Sequence, residues 1–158
     1  MFKPSIQYHD IMMNAPFGGV GINIHNDCVT RICLYPTQQA TSNIVGSTVQ
    51  NVKEQFDQYF KHADAKIDIP FKVAGTAFQI RVWEAISAIP VGKMLTYSEL
   101  AHKVGSGPRA VANACGANYL PLLIPCHRVV AKNGLGGFMQ SVLDGLKIKE
   151  WLLAHESE

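Results

Sequence analysis

Two capping boxes fix where helices begin in the second half of this chain. In each, a threonine is followed three positions later by Gln or Glu, Thr76 with Gln79 and Thr96 with Glu99. Side chains in this spacing can satisfy the first free amides of a helix. Behind the first box, apolar residues recur at helical spacing until a Pro-Val-Gly run at 90–92 interrupts them. The pattern predicts a helical region that begins near residue 74.

The second box opens a short helix that a Gly-Ser-Gly run at 105–107 ends, and Pro108 suits the first position of the next helix. Two short helices joined by such a turn form a candidate helix-turn-helix, and its second helix opens with Arg109. The residues that follow are nearly all small: Ala110, Ala112, Ala114, Cys115, Gly116 and Ala117. A smooth helix can lie against another helix or against the floor of a groove, so this pattern leaves core packing and DNA binding open.

The first half of the chain has a different character. Residues 21–25 and 28–35 alternate loosely between apolar and polar, and Asn26-Asp27 between them are turn formers. We therefore predict a hairpin. Apolar residues at helical spacing predict a helix from about residue 44 to residue 60, and a short strand is predicted at 67–71. This half shows no recognisable chemistry.

Charge is unevenly distributed along the chain. The 158 residues carry a net charge of only +2, and in residues 1–75 six basic and six acidic side chains cancel. Between residues 93 and 132 one acid, Glu99, stands against five basic residues: Lys93, Lys103, Arg109, Arg128 and Lys132. A local excess of positive charge suits a phosphate backbone, although a solvated basic face would look the same.

Several sequence patterns that this chain lacks allow predictions about its compartment and about bound metal. No apolar stretch reaches the roughly 20 residues that span a bilayer, and the first residues lack the pattern of a signal peptide. The four cysteines show no paired CxxC spacing, which indicates free thiols in a reducing compartment. We expect a cytoplasmic protein. The spacing of His9, His25, Cys28 and Cys33 does not favour a zinc site, and no metal or cofactor is predicted.

Cys126 stands at the end of an apolar run at 120–125 that two prolines interrupt. We predict that this run is a buried strand that positions the thiol. A lone cysteine is usually a small core residue, but here His127 follows at once. A free thiol has a pKa of roughly 8.5 and needs a neighbouring base to become a nucleophile at neutral pH. Since adjacent side chains of an extended chain point apart, we expect His127 to reach the sulfur through a water or a turn.

The motif Pro-Cys-His-Arg at 125–128, followed by Val-Val and an Asn-Gly turn, resembles the active-site motif of the O6-alkylguanine-DNA alkyltransferases, or methylated-DNA–protein-cysteine methyltransferases. The resemblance covers about residues 76–156 and extends to the first half only by general layout. It implies an α+β fold with two domains. These are a small ribonuclease H-like α/β domain with a hairpin sheet at 1–73, and a mostly helical, winged-helix-like domain bearing the helix-turn-helix at 74–158.

By the same resemblance, this chain would move an alkyl group from O6-alkylguanine, and also from O4-alkylthymine, in double-stranded DNA to Cys126, once per molecule. Cys126, a water, His127 and Glu156 would form the chain that activates the thiol, in which the imidazole is the base. The Tyr97 phenol would donate a proton to the departing guanine. The resemblance implies a monomer without cofactor.

The resemblance also implies how DNA and the lesion are bound. Arg109 would enter the base stack and fill the place of the extruded nucleotide, and the smooth helix would lie in the minor groove, where contacts depend little on sequence. The DNA contacts predicted in this way are Arg109, Ala110, Gly116 and Arg128. The pocket residues are Asn118, which braces the active-site segment, Val129, whose carbonyl accepts from the guanine amino group, Met139 and Lys149. Phe138-Met139 departs from the family, which commonly has tyrosine followed by a small residue.

Three other functions fit parts of the sequence. A noncatalytic lesion-binding relative would keep Arg109 and Tyr97 but would lack Cys126. A Cys-His acyltransferase or hydrolase would turn over a thioester repeatedly. A transcription regulator would use the helix-turn-helix alone and prefer a defined duplex sequence.

Overall fold

The computed structural model describes residues 8–39, 41–42, 45–138 and 145–157. It opens with an antiparallel sheet of three strands in the order β1 (Ile11–Ala15), β2 (Gly18–His25) and β3 (Cys28–Tyr35). The predicted hairpin is confirmed as β2 and β3, and β1 is an additional partner of β2. Asn26 and Asp27 both have positive φ at the turn, a conformation that these short polar residues adopt more readily than most.

The helix predicted from about residue 44 is α1 (Ser47–Lys61), which buries Val52, Phe56, Tyr59 and Phe60. The predicted strand at 67–71 is wrong in extent, because only Phe71 pairs, in a parallel bridge with Val29. Pro70 has no amide hydrogen to donate, and it contributes its carbonyl to the amide of Val29 instead.

Three helices follow as the capping boxes and glycines predict: α2 (Ala77–Ser87), α3 (Tyr97–Val104) and α4 (Pro108–Gly116). Both capping boxes form with reciprocal hydrogen bonds, so the amides at the starts of α2 and α3 are satisfied by side chains. α3 ends at Gly105 in the left-handed conformation, where a residue with a Cβ atom would be strained. The helix-turn-helix is therefore α3 and α4.

The segment before Cys126 is a turn and not the predicted buried strand. Pro121 and Pro125 cannot donate to a sheet, and Leu122 has a φ of 76°, which no strand contains. A short 3-10 helix (Cys126–Arg128) follows, and it leads into β5 (Val129–Val130). β5 pairs in parallel with β4 (Leu95–Thr96), a contact between distant segments that the sequence did not predict.

The last helix, α5 (Gly145–Glu156), packs against both halves of the molecule. One continuous apolar core contains residues of β1 to β3 and α1 together with residues of α2 to α5. Aromatic rings of Phe17, Tyr59 and Phe60 meet Trp151 and His155 of α5. The division at residue 73 remains a prediction. Within the described residues, no helix has the length and apolar character needed to cross a membrane.

Candidate active site

Asn118 holds the turn that presents Cys126. Its side-chain nitrogen donates to the carbonyl of Ile124 at 2.9 Å, and its side-chain oxygen accepts from the amide of Leu120 at 2.9 Å. These two bonds close a loop in which Leu122 takes a left-handed conformation, which costs of order 1–3 kcal/mol for a residue other than glycine. Asn118 therefore fixes a strained turn directly before Cys126.

The Cys126 sulfur lies in the interior, with only 8% of the residue exposed. The same Asn118 nitrogen donates to Sγ at 3.1 Å. Burial raises the pKa of the Cys126 thiol, while the Asn118 hydrogen bond and the nearby Lys149 charge lower it by less. The thiol is thus protonated at neutral pH, and a nucleophilic reaction needs a base within reach.

His127 is the base beside this thiol, and its side chain is 1% exposed. Burial lowers the pKa of the imidazole, and the opposing effect of Glu156 is smaller, so His127 is neutral at neutral pH. Its Nε2 lies 3.0 Å from Oε2 of Glu156, close enough for a charge interaction, although the alignment falls short of a full hydrogen bond. Because Cys126 and His127 both belong to the 3-10 helix, the chain between these two residues is turned and not extended.

The carboxylate of Glu156 is contacted by three side chains, those of Arg128, Tyr59 and His127. Arg128 donates to both carboxylate oxygens, Nε to Oε1 and Nη2 to Oε2, each at 2.8 Å, and Tyr59 donates its hydroxyl to Oε2 at 2.6 Å. Burial raises the pKa of Glu156, but the contacts from Arg128, His127 and Tyr59 together outweigh burial and hold this pKa well below its usual value. Glu156 is therefore a buried carboxylate that stays ionised.

The structure corrects the prediction that Arg128 contacts DNA. Only 9% of the residue is exposed, and its third nitrogen, Nη1, donates to the carbonyl of Ile89 at 2.7 Å. The guanidinium of Arg128 is turned inward, and each of its three nitrogens donates to an internal acceptor. The sequence shows the positive charge of Arg128, but it does not show that the partner of this charge is an internal carboxylate.

Tyr97, the first residue of α3, lies against the irregular segment that follows β5. Its hydroxyl is 3.5 Å from the carbonyl of Gly137, a long contact, and its ring fills the space where a side chain on Gly136 would lie. Burial raises the pKa of the Tyr97 phenol, and the nearby Cys115 and Cys126 sulfurs raise it further. The phenol is therefore a protonated group near the nucleophile.

Lys149 is fully buried, and its ammonium group links two backbone segments through hydrogen bonds. Nζ donates to the carbonyl of Val129 at 2.7 Å and to that of Gly137 at 3.0 Å, and it lies 6.0 Å from the centre of the Tyr97 ring. Burial lowers the pKa of Lys149 to about 8. The Val129 carbonyl, predicted to accept from guanine, thus already accepts a hydrogen bond from Lys149.

α4 presents one face to solvent and one to the core. Arg109 and Ala110, two of the predicted DNA contacts, are exposed, and Gly116, a third, is half-buried. Asn113 is exposed on the same face, one turn from Arg109, and no pattern in the sequence indicates a role for it. On the opposite face, Trp83 anchors the helix by donating from Nε1 to the carbonyl of Ala114 at 2.8 Å.

The remaining predictions concern the pocket and metals. Met139 lies outside the described residues. In the described part of the chain, no group of three or more His, Cys, Asp and Glu side chains is arranged to bind a metal ion. His9, a candidate zinc ligand, instead contacts the side-chain oxygen of Asn23 at 3.0 Å and the hydroxyl of Tyr35 at 2.6 Å.

Taken together, the structure brings four predicted catalytic residues to one place: Cys126, His127, Glu156 and Tyr97. The arrangement is a protonated thiol beside a neutral imidazole that an ionised carboxylate supports, with a protonated phenol nearby. Such a set can generate a thiolate in a buried site and return a proton to a leaving group. Tyr59 also joins this set, and no signal in the sequence separated it from the other apolar positions of α1.

Comparison with known proteins gives concordant results. The family model described as 6-O-methylguanine DNA methyltransferase, DNA binding domain, matches residues 77–158. A probable methylated-DNA–protein-cysteine methyltransferase of Acanthamoeba polyphaga mimivirus is 42% identical over 113 residues, which are 70% of this chain and 73% of the relative. A methylated-DNA–protein-cysteine methyltransferase of Metallosphaera sedula is 39% identical over 145 residues, 90% of this chain and 88% of the relative.

Among solved structures, the crystal structure of Mycobacterium tuberculosis OGT in complex with DNA is similar to this chain with a TM-score of 0.76. The two chains are 29% identical, and the match covers 92% of this chain and 91% of the other. The similarity extends through the sheet and α1 as well as the helical half, so both parts of the mixed α+β fold are shared.

Proposed function

This chain belongs to the O6-methylguanine-DNA methyltransferase family, and on that premise we propose that Cys126 is the residue to which it transfers the alkyl group. Its activity is that of a methylated-DNA–protein-cysteine methyltransferase, which repairs alkyl lesions in DNA. The observation that carries the assignment is the contact set of Cys126: a buried thiol with Asn118 on its sulfur and a neutral imidazole as the next residue.

In the proposed reaction, His127 takes the thiol proton through an intervening water, and Glu156 stabilises the imidazolium that forms. The Cys126 thiolate attacks the alkyl carbon, so that a sulfur–carbon bond forms as the bond from carbon to guanine O6 breaks. The electron pair of the broken bond stays with guanine, and Tyr97 supplies the proton that neutralises it. The thioether is stable, so each molecule reacts once.

DNA binding is proposed for the exposed face of α4. O6 of guanine in a duplex is out of reach of a sulfur that is only 8% exposed as a residue, so the nucleotide has to rotate out of the helix. Arg109, at the start of α4 and exposed, is placed to fill the vacated position, while Ala110 and Gly116 allow close approach. We propose double-stranded DNA with O6-alkylguanine as the substrate, and O4-alkylthymine as a second one.

Kinetic stoichiometry tests this function. Mixed with an excess of duplex containing O6-methylguanine, the protein should repair an amount of lesion equal to its own amount and then stop. Continued turnover, or hydrolysis of an activated thioester, would indicate a Cys-His hydrolase instead. Binding to a lesion without its removal would indicate a noncatalytic relative, and preference for one duplex sequence would indicate a regulator.

A further inference from the structure

Tyr59 contacts the proposed catalytic network from outside the segment that carries the family motif. It lies in α1, whereas the family model begins at residue 77. Its hydroxyl donates to Oε2 of Glu156 at 2.6 Å, and only 3% of the residue is exposed. A buried hydrogen bond to a carboxylate is short and strong because neither partner is solvated by water.

The same tyrosine is held at a second point. The ring of His155, the neighbour of Glu156 in α5, places Nε2 2.6 Å from the backbone carbonyl of Tyr59, so Nε2 carries the hydrogen in this contact. The two rings also meet edge to face, with centroids 5.3 Å apart. Side chain and backbone of Tyr59 are thus both bound to consecutive residues of α5, which fixes the direction of its hydroxyl.

We propose that Tyr59 is a positioning residue for alkyl transfer, which holds Oε2 of Glu156 in place and limits the negative charge that this oxygen presents to His127. The inference rests on the proposed function and adds a member to its site. Oε1 receives one donor, Arg128 Nε, whereas Oε2 receives both Tyr59 and Arg128 Nη2 and also faces Nε2 of His127 at 3.0 Å.

The charge balance around His127 explains why this hydroxyl matters. Arg128, the next residue, and Lys149 of α5 both disfavour a proton on the imidazole, whereas Glu156 of α5 favours it. Tyr59 of α1 acts through Glu156, because its donated hydrogen withdraws charge from Oε2. Burial also raises the pKa of the Tyr59 phenol, so the group remains a donor at neutral pH. Without the hydroxyl, a larger fraction of His127 is already protonated as the pH falls and cannot accept the thiol proton.

The test is Tyr59→Phe, which keeps the ring and removes the hydroxyl. We expect the single-turnover rate constant to fall about tenfold on the acid limb of the pH–rate profile, the factor that corresponds to one hydrogen bond to a charged group. The acid limb of the pH–rate profile should move to higher pH, so the loss shrinks as the pH rises. The rate constants for duplex DNA and for free O6-benzylguanine should fall by the same factor, because the substitution acts on thiol activation.

Tyr35→Phe is the matched control. Tyr35 also lies in the first half and also directs its hydroxyl to a partner at 2.6 Å, but that partner is His9, away from the network. The rate constant and the pH–rate profile of the Tyr35→Phe protein should equal those of the unchanged protein. A Tyr59→Phe protein with unchanged rate, or with a loss that is the same at every pH, would overturn the positioning role.

Two further measurements keep the inference separate from folding and from the proposed function. In the unchanged protein, the Tyr59 hydroxyl proton should be protected enough to be seen by NMR, and rapid exchange with water would overturn the inference even if Tyr59→Phe failed to fold. The His127 ring can be titrated by NMR without any substrate, and its pKa should rise in Tyr59→Phe. If the unchanged protein transferred no alkyl group, the proposed function would fail, while an unshifted His127 titration would overturn the charge argument alone.

Discussion

Arg128 forms a bidentate ion pair with Glu156, in which Nε and Nη2 each lie 2.8 Å from a different carboxylate oxygen. Both side chains are almost fully enclosed. The pair joins the 3-10 helix that contains Cys126 to the end of α5, so the position of the proposed nucleophile depends on the last turn of the described chain. A bidentate pair of this kind fixes both distance and orientation.

Arg128→Met is therefore expected to lower the free energy of unfolding by about 3–5 kcal/mol, because it leaves Glu156 charged, buried and missing its main partner. Urea denaturation measures the effect. Arg81→Met is the matched control, since Arg81 is exposed on α2 with its guanidinium over the Phe78 ring, and it should change little. Loss of DNA affinity with unchanged stability would instead support the original assignment of Arg128 as a DNA contact.

Cys126→Ala should abolish alkyl transfer and leave affinity for duplex DNA within about twofold, because Cys126 supplies the bond-forming atom and, at 8% exposure, little of the surface that meets DNA. Repair assays and fluorescence anisotropy give the two readings. Cys28→Ala changes a thiol of β3 that is remote from the site in the sheet, and it should retain full transfer. Equal losses of binding and transfer in Cys126→Ala would argue against this division of labour.

Arg109→Ala should slow repair of duplex DNA about tenfold or more, since extruding a base costs a few kcal/mol that the arginine is proposed to offset. Reaction with free O6-benzylguanine, which needs no extrusion, should stay near the rate of the unchanged protein. Arg31→Ala, at an exposed position of β3, controls for the loss of one positive charge. If both substrates slowed alike, Arg109 would not be the residue that fills the vacated position.

Acidification should weaken the fold in two stages. Burial lowers the pKa of His127, so below the ordinary histidine value of about 6.5 the unfolded chain binds a proton that the folded chain does not, and stability falls as the pH drops. The pKa of Glu156 is also lowered, because the contacts from Arg128, His127 and Tyr59 outweigh its burial, and a second loss follows below about 4.3.

Urea midpoints between pH 8 and about pH 2 measure both stages. His127→Gln should remove the first stage and retain the second, whereas His102→Gln, at an exposed position of α3, should retain both. If the urea midpoint of the unchanged protein stayed constant between pH 7 and pH 5.5, His127 would not be the neutral buried base described above.

Local signals in the sequence predicted most of the helical half. The two capping boxes, Gly105 and Pro108 mark the ends of α2, α3 and α4, because each acts through hydrogen bonds or φ values within a few residues. The apolar run at 120–125 is a turn and not the predicted strand. Its apolar composition reflects burial, and burial alone does not distinguish a strand from a turn that Asn118 holds closed.

Long-range pairing was the part that the sequence did not reveal. Tyr59 and Glu156 are distant in the chain, and a tyrosine at a buried helix position is in itself an ordinary core residue. Arg128 was assigned to DNA because its charge is visible in the sequence whereas its burial is not. The resemblance named Cys126, His127 and Glu156 together, and the structure places them together, but their catalytic roles remain proposals.

The most direct test of the central claim is the mass of the protein after reaction with duplex DNA that contains O6-methylguanine. The account predicts that intact-protein mass spectrometry finds one added methyl group per molecule, and that peptide fragmentation places it on Cys126 and on none of Cys28, Cys33 and Cys115. A repaired duplex with an unmodified Cys126, or a methyl group on another residue, would contradict it.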